Sequence, residues 1–364
     1  LMLAGLALQA LGSVTVLVLH WLNHPLGNMD AYSHWMLRAR YLSDLDLWRL
    51  GFSPALNSPE YPLLFPAMIA SASNCALDWQ PLVTLWLQIV LAAATGSVIY
   101  EGIQLLQGKR TALLGATIYL SAPWVLYRAS CLYADTLVCF LFSLVTLVLL
   151  ANVSLSSRIE PAPVIDSRTL LGLGVLVGLA WLTKHEGVVF FANVLLTLLV
   201  CQAPRRAFLS LLGFVAPVLL LSSLHTLSRT YCVPALSHQS PLNLGAEALL
   251  SSLLSPQRYL LVLLAFLKFL TDIYWWNAAA PIVLVIVSGL IGCKKLSQRI
   301  AIAFIPVFLQ FNVMIAYFLV SPLRLEQHLE TAFPRLFLHT YPALLILIVG
   351  CWRTETGREE DSQV

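Results

Sequence analysis

Residues 132–152 read LYADTLVCFLFSLVTLVLLAN, an apolar run whose single charged residue, Asp135, lies near its start. A helix needs about 20 mostly apolar residues to cross the hydrocarbon core of a bilayer. Similar runs recur along the chain, and we predict about ten membrane spans. They are residues 2–20, 80–106, 111–128, 132–152, 169–183, 187–203, 207–225, 278–293, 299–320 and 336–352. Two shorter segments, 62–77 and 258–275, are either interfacial or re-entrant, or cross the membrane.

The composition supports this interpretation, because 59% of the 364 residues are hydrophobic and 11% are charged. The mean hydropathy is +0.81, far too apolar for a soluble domain. We therefore expect an all-α polytopic membrane protein with one transmembrane domain, residues 1–352, and a short polar cytoplasmic tail, residues 353–364. The first segment lacks a charged leader and is interpreted as a retained helix.

Charge and cysteine usage exclude other classes of protein. The net charge is +3, and no basic run is longer than a pair, so nothing favours a nucleic-acid partner. The seven cysteines are widely spaced and form no CxxC pair. This pattern predicts neither a zinc site nor a disulfide framework.

Basic residues near short loops predict the orientation, because loops rich in Lys and Arg stay in the cytoplasm. The basic residues on alternate connections are Lys109, Arg110, Arg158, Arg168, Arg205, Arg206, Lys294, Lys295, Arg299, Arg353 and Arg358. All are cytoplasmic if the N-terminus is inside. The loops 21–60, 226–257 and 321–335, with the turns at Arg128 and Lys184, then face outward. A full crossing by 258–275 would invert everything after it.

The first outer loop carries the segment NMDAYSHWMLRARY, residues 28–41. As an amphipathic interfacial helix it would place Asp30 and His34 on one face, with Arg38 alongside. Asp30 could be a general base toward an acceptor hydroxyl, with the cations holding a phosphate. Alternatively, Asp30 caps a helix whose Trp and Arg residues anchor it at the headgroups. The spacing does not decide between the two.

Four further polar segments lie on the same predicted face of the membrane. The segment 58–66 contains Glu60 and Tyr61, and taken alone it is also explained as a rigid turn. Asp135 lies at the start of a span, and taken alone it is also explained as a helix cap. The Lys184-His185-Glu186 run places three ionisable residues between two apolar runs, more than anchoring or capping requires. The segment 324–335 contains Arg324, His328 and Arg335, which could donate hydrogen bonds to a phosphate. Alternatively, the segment is a solvated polar loop. This grouping predicts one site.

Taken in order, these segments resemble bacterial members of the GT-C glycosyltransferase superfamily, which includes protein O-mannosyltransferases and the lipid A aminoarabinose transferase. The resemblance covers residues 28–340 through short, degenerate motifs. They are Asp30-Ala31 with Trp35, Ala39-Arg40, Glu60-Tyr61-Pro62-Leu63, Tyr133-Ala134-Asp135, Thr183-Lys184 with Glu186-Gly187, and His328-Leu329 with Thr331 and Arg335.

The resemblance implies transfer of a sugar from a polyprenyl-phosphate donor to a lipid, glycan or protein acceptor on the outer face of the bacterial inner membrane. It implies catalytic roles for Asp30, as general base, and Asp135. The expected substrate-binding residues are His34, Arg38, Glu60, Tyr61, Lys184, Glu186, His328 and Arg335. Lys184, His328 and Arg335 would stabilise charge on the leaving phosphate.

The sequence departs from those superfamily members that hold a divalent cation with an Asp-x-Asp pair. The pair present here, Asp44 and Asp46, lies well past the expected position, and residues two apart point to different sides of a helix. We therefore expect no cofactor and a metal-independent mechanism, although oxygen-ligand metals need no recognisable spacing.

Two other functions compete with a transferase. A transporter or flippase for a lipid or small anion would also line a cavity with charges, but no internal repeat is evident and the charges cluster at one interface. A non-catalytic, lipid-binding relative is the third alternative, and the intact Asp30 argues against it.

Overall fold

A computed structural model describes residues 2–53, 55–56, 59–75, 81–156, 165–201, 204–232, 246–271, 298–321 and 324–350. Every regular element in these ranges is a helix. The α-helices are α1 (Met2–Asn23), α2 (Leu37–Leu42), α3 (Leu64–Cys75), α4 (Pro81–Gln107), α5 (Lys109–Ser121), α6 (Pro123–Ser130), α7 (Asp135–Ser156), α8 (Ser167–Thr183), α9 (Glu186–Cys201), α10 (Pro204–Cys232), α11 (Ala246–Leu253), α12 (Pro256–Thr271), α13 (Gln298–Val320) and α14 (Leu325–Gly350). A π-helical turn, Ala31–Met36, leads into α2, and a 3-10 turn, Trp48–Phe52, follows it.

Within the described residues, four helices are long and apolar enough to cross a membrane. They are Pro81–Gln107, Asp135–Asn152, Ile302–Val320 and Leu325–Gly350. Shorter apolar helices occupy Leu8–Asn23, Ser167–Thr183, Glu186–Val200 and Leu211–Leu227. The count of about ten spans stays a prediction. The predicted span 278–293 and the tail 353–364 lie outside the described residues.

Helix α7 lies at the centre of the bundle and packs against α4, α8, α13 and α14. Its inward side chains are fully buried, and the ring of Phe142 stacks on Phe190 of α9 at 3.8 Å between centroids. Burial of such large apolar side chains is the main stabilising contribution in a protein interior. Asp135, the first residue of α7, is therefore held by a rigid helix.

Hydrogen bonds identify the two ends of the bundle. At one end, Gln107 Nε2 of α4 donates to the Gly350 carbonyl of α14 at 2.7 Å, and Thr169 Oγ1 of α8 donates to Asn152 Oδ1 of α7 at 3.2 Å. Lys109 and Arg168 lie at this end, beside Gln107 and Thr169. The starts of α7 and α9 lie at the opposite end.

Two predicted boundaries are wrong, each for a local reason. The predicted span 111–128 is divided into α5 and α6, because Pro123 cannot continue a helix and Ala122 before it is extended. The segment 324–335, considered as a loop, forms the first turns of α14 from Leu325 onward. Hydropathy alone missed these turns because they are polar.

The two unassigned segments are both helical. Helix α3 has 12 residues and is about 18 Å long, too short to cross a bilayer core of about 30 Å. Helix α12, at 16 residues, is about 24 Å long.

Candidate functional site

The carboxylate of Asp135, at the first residue of α7, lies at the centre of an ion-pair network. Its Oδ1 accepts from Lys184 Nζ at 2.9 Å and lies 2.7 Å from His339 Nε2, while its Oδ2 accepts from Arg335 Nε at 3.1 Å. The side chain is 1% exposed. A buried carboxylate is stable when it is both paired and hydrogen-bonded, and this one is.

Lys184 lies in the turn between α8 and α9, where it pairs with both Asp135 and Glu186. Its Nζ lies 3.0 Å from Glu186 Oε1. Burial lowers the pKa of Lys184, but the two carboxylates together raise it by more, so its pKa lies above its usual value. The side chain is therefore a fixed cation. The turn itself requires Gly187, because a Cβ there would collide with the backbone of Ala180 and Trp181.

Helix α14 supplies two of the partners from successive turns. Arg335 and His339 are four residues apart, so they project from one face of the helix, and both contact Asp135. The Arg335 guanidinium also lies over the ring of Tyr133, 4.2 Å from its centroid. This cation–π contact adds to the two carboxylate contacts that fix its position.

Asp30 joins the network through Arg335, whose Nη1 donates to Asp30 Oδ2. The Asp30 side chain is 37% exposed and makes no capping hydrogen bond to the helix it precedes. His34, one turn further on, lies 3.9 Å from Asp30 Oδ1. The capping interpretation of Asp30 is therefore wrong. Trp35 and Arg38 are fully buried and do not anchor this helix at the headgroups, whereas Arg40 of the same segment is exposed.

The short loop before Asp30 is held against the turn between α6 and α7. Gly27 has a φ of 71°, which favours glycine, and a Cβ there would lie 2.6 Å from the Cys131 carbonyl oxygen. Asn28 Nδ2 donates to Cys131 Sγ at 3.4 Å. On the other side of the same turn, buried Leu132 has a φ of 60°, a strained conformation for a non-glycine residue. These contacts fix Asp30 relative to Asp135.

The segment around Tyr61 forms one wall beside the network. The Tyr61 ring stacks on His185 at 5.2 Å and lies 5.9 Å from the His34 ring. Burial raises the pKa of Tyr61 to about 12, so its hydroxyl stays protonated at neutral pH. Arg38 Nη1 donates to the Tyr61 carbonyl at 2.9 Å, which holds this wall in place. Burial lowers the pKa of Arg38 to about 10 against the opposing effect of Glu60, and the guanidinium stays charged.

His328 is placed differently from the other predicted residues. It lies two turns before Arg335 on α14, where its Nδ1 is 2.8 Å from Ser321 Oγ and its ring contacts Phe318. Its described partners thus belong to the end of α13. The structure brings together Asp30, Asp135, Lys184, Glu186 and Arg335, with His34 and Tyr61 beside them, but not His328.

The sequence interpretation missed three contributors. His339 is an imidazole inside an apolar run, four residues after Arg335, and that spacing could have identified it. Tyr133 was part of a quoted motif, but its contact with Arg335 depends on the fold. Gln88 of α4 is fully buried and donates to the Tyr133 carbonyl at 2.7 Å. A glutamine in a long apolar helix is also unusual, and it could have indicated that α4 contacts a polar group such as the Tyr133 carbonyl.

The described residues contain no group of three or more His, Cys, Asp or Glu side chains arranged to hold a metal ion. Asp30 and Asp135 are bridged instead by Arg335. The metal-independent mechanism stays a prediction.

The apolar helices and the charged network at one end of their bundle define an integral membrane protein. No protein-family profile matches the chain. No curated protein matches it in sequence either.

Among solved structures, the chain is similar to the archaeal oligosaccharyltransferase AglB from Archaeoglobus fulgidus, in complex with an inhibitory peptide and a dolichol-phosphate. The TM-score is 0.50 at 11% identity, over 95% of this chain and 50% of that one. A crystal structure of the Archaeoglobus fulgidus oligosaccharyltransferase with Zn and sulfate gives 0.48 at 12% identity, covering 96% and 53%. The chain thus spans about half the length of these proteins. At 11% identity the likeness to AglB concerns the fold alone.

Proposed function

We propose that this protein is a glycosyltransferase that moves a sugar from a polyprenyl-phosphate donor to an acceptor hydroxyl. The observation that carries the proposal is the half-exposed carboxylate of Asp30 beside two fixed cations at one end of a membrane bundle. A transferase of this kind needs a base for the acceptor proton and positive charge for the leaving phosphate. The AglB structure, which shares the fold, contains a dolichol-phosphate, and this supports a lipid phosphate as carrier.

The two aspartates have different roles in this proposal. Asp30 is accessible and acts as the general base, whereas Asp135 is buried with both oxygens engaged. A carboxylate in that position cannot reach an acceptor. We assign Asp135 to positioning, because it holds Lys184 and Arg335 at the distances given above. This replaces the catalytic role that the resemblance implied.

The reaction balances as an inverting displacement. The acceptor oxygen attacks the anomeric carbon, the bond from that carbon to the phosphate oxygen breaks, and the electron pair leaves on the phosphate. Asp30 receives the acceptor proton. Arg335 donates a charge-assisted hydrogen bond to the phosphate, the stronger kind of hydrogen bond. Lys184 is buried and held by two carboxylates, so it contributes positive charge behind Arg335 without contacting the phosphate. His34, Glu60, Tyr61 and Glu186 are left to bind the sugar and the acceptor.

The network faces outward in this proposal, in the inner membrane of a bacterium. Lys109, Arg110 and Arg168 lie at the opposite end of the bundle, and loops rich in basic residues stay in the cytoplasm. A carrier on the outer leaflet then presents its phosphate at the level of Arg335, and lipid, glycan or protein acceptors approach from outside.

The test is transfer by purified Asp30→Asn protein. Asparagine keeps the size and the hydrogen-bonding shape but removes the basic site, so the rate of transfer should fall by about 10² or more. Asp46→Asn, at an exposed position in the same loop, removes the same charge and should keep full activity. Transfer by Asp30→Asn within about twofold of the parent would remove Asp30 from the mechanism.

A further inference from the structure

Three side chains contact the guanidinium of Arg335. Its Nε donates to Asp135, its Nη1 donates to Asp30, and the Tyr133 ring lies against its guanidinium plane. A phosphate that uses Arg335 must therefore share it or displace one of these partners.

The two carboxylate partners of Arg335 are not equally held. Asp135 is 1% exposed, and it also pairs with Lys184 and contacts His339. Asp30 is 37% exposed and lies at the start of a π-helical turn. Removing Asp135 would leave two cations without their shared carboxylate, whereas releasing Asp30 exposes one already half-solvated group to water. Asp30 is the partner that can exchange.

Charge leads to the same conclusion. Asp30, Asp135 and Glu186 carry three negative charges, against the two permanent positive charges of Lys184 and Arg335. Their remaining partners are the imidazoles of His34 and His339. A donor phosphodiester adds a further negative charge to this network. Like charges held close together are costly where water is scarce, so one carboxylate has to leave the cations as the phosphate arrives.

We propose that Asp30 and the donor phosphate are alternative ligands of Arg335, so that donor binding releases the base. This inference rests on the proposed function. In the ion pair, Arg335 Nη1 donates to Asp30 Oδ2, so that oxygen is engaged. Once the phosphate takes the Nη1 side of Arg335, Asp30 is free to accept the acceptor proton. The donor therefore binds before the acceptor can be activated.

Competition between Asp30 and the phosphate for Arg335 also weakens donor binding. When a binding site is competent for only part of the time, the apparent dissociation constant rises by the reciprocal of the competent fraction. Removing the carboxylate of Asp30 removes this competition. The substitution that abolishes transfer should thus improve binding of the lipid phosphate.

The experiment measures binding of sugar-free polyprenyl phosphate to the full chain in lipid nanodiscs. Asp30→Asn should bind about two- to fivefold more tightly than the parent, the range expected for loss of a partly exposed ion pair. Arg335→Ala should bind more weakly. Asp46→Asn, the exposed control in the same loop, should bind as the parent does.

A double variant separates exchange on Arg335 from a general effect of charge. In an Arg335→Ala background, Asp30→Asn should give no gain in affinity, because the shared ligand is absent. An equal gain in both backgrounds, or no gain in the parent background, would overturn the exchange. Transfer by Asp30→Asn is measured in parallel. An inactive variant with parental affinity leaves the proposed function standing and refutes this inference, whereas an active variant refutes the assignment of the base.

Discussion

Asp30 and Asp135 both pair with Arg335, yet their difference in burial predicts losses of stability of different size. Asp135→Asn leaves Lys184 and Arg335 without their shared buried carboxylate, and breaking a buried ion pair costs about 3–5 kcal/mol. Asp30→Asn removes a half-exposed partner and should cost at most about 1 kcal/mol. Equilibrium unfolding in mixed micelles measures both. Equal losses for the two variants would contradict the assignment of Asp135 to positioning.

At the same scale, residue type predicted much of the site. Asp30, Asp135, Lys184, Glu186 and Arg335 were all selected as ionisable residues at predicted helix ends, where charge is costly, and they meet in one network. The pairing could not be predicted, because it depends on which helices are neighbours. The difference between the exposed and the buried aspartate also depends on packing, which one sequence does not reveal.

Among the elements, the α8–α9 hairpin sets the position of Lys184 and Glu186, and its close approach depends on Gly187. Gly187→Ala would place a Cβ against the backbone of Ala180 and Trp181. The hairpin would have to open, at a cost of about 1–3 kcal/mol, and transfer should fall with the displaced Lys184.

The matched control lies in the same hairpin. A Cβ at Gly172 of α8 meets nothing within 4 Å, so Gly172→Ala should stabilise the helix by about 0.5–1 kcal/mol. Thermal unfolding and transfer assays on both variants test the pair. If Gly187→Ala were as stable and active as Gly172→Ala, the hairpin would not need its glycine.

Element boundaries show where hydropathy stops being informative. The apolar runs located most described helices, since length and composition define a span. They missed the break at Pro123 within one run, and they missed the polar first turns of α14 from Leu325. In α14 the polar turns carry Arg335, so the part of the helix that hydropathy overlooks is the part that enters the site.

On the scale of the whole molecule, the orientation follows from which end of the bundle carries the exposed basic residues. A cysteine at Leu45, which is 92% exposed in the loop that carries Asp30, should react with a membrane-impermeant maleimide added outside. A cysteine at Arg110, exposed near the start of α5, should not. The parent protein gives the background from its own cysteines. Labelling at Arg110 but not at Leu45 would place the network in the cytoplasm.

The ion pair between Arg335 and Asp30 joins residues 305 positions apart, and this separation has a consequence for biosynthesis. The ribosome delivers Asp30, Asp135 and Lys184 to the membrane long before α14. Until that helix inserts, Asp135 has Lys184 but neither Arg335 nor His339. Insertion of α14 is therefore the step that completes the network, and until then the acidic residues Asp30, Asp135 and Glu186 outnumber their one permanent cation, Lys184.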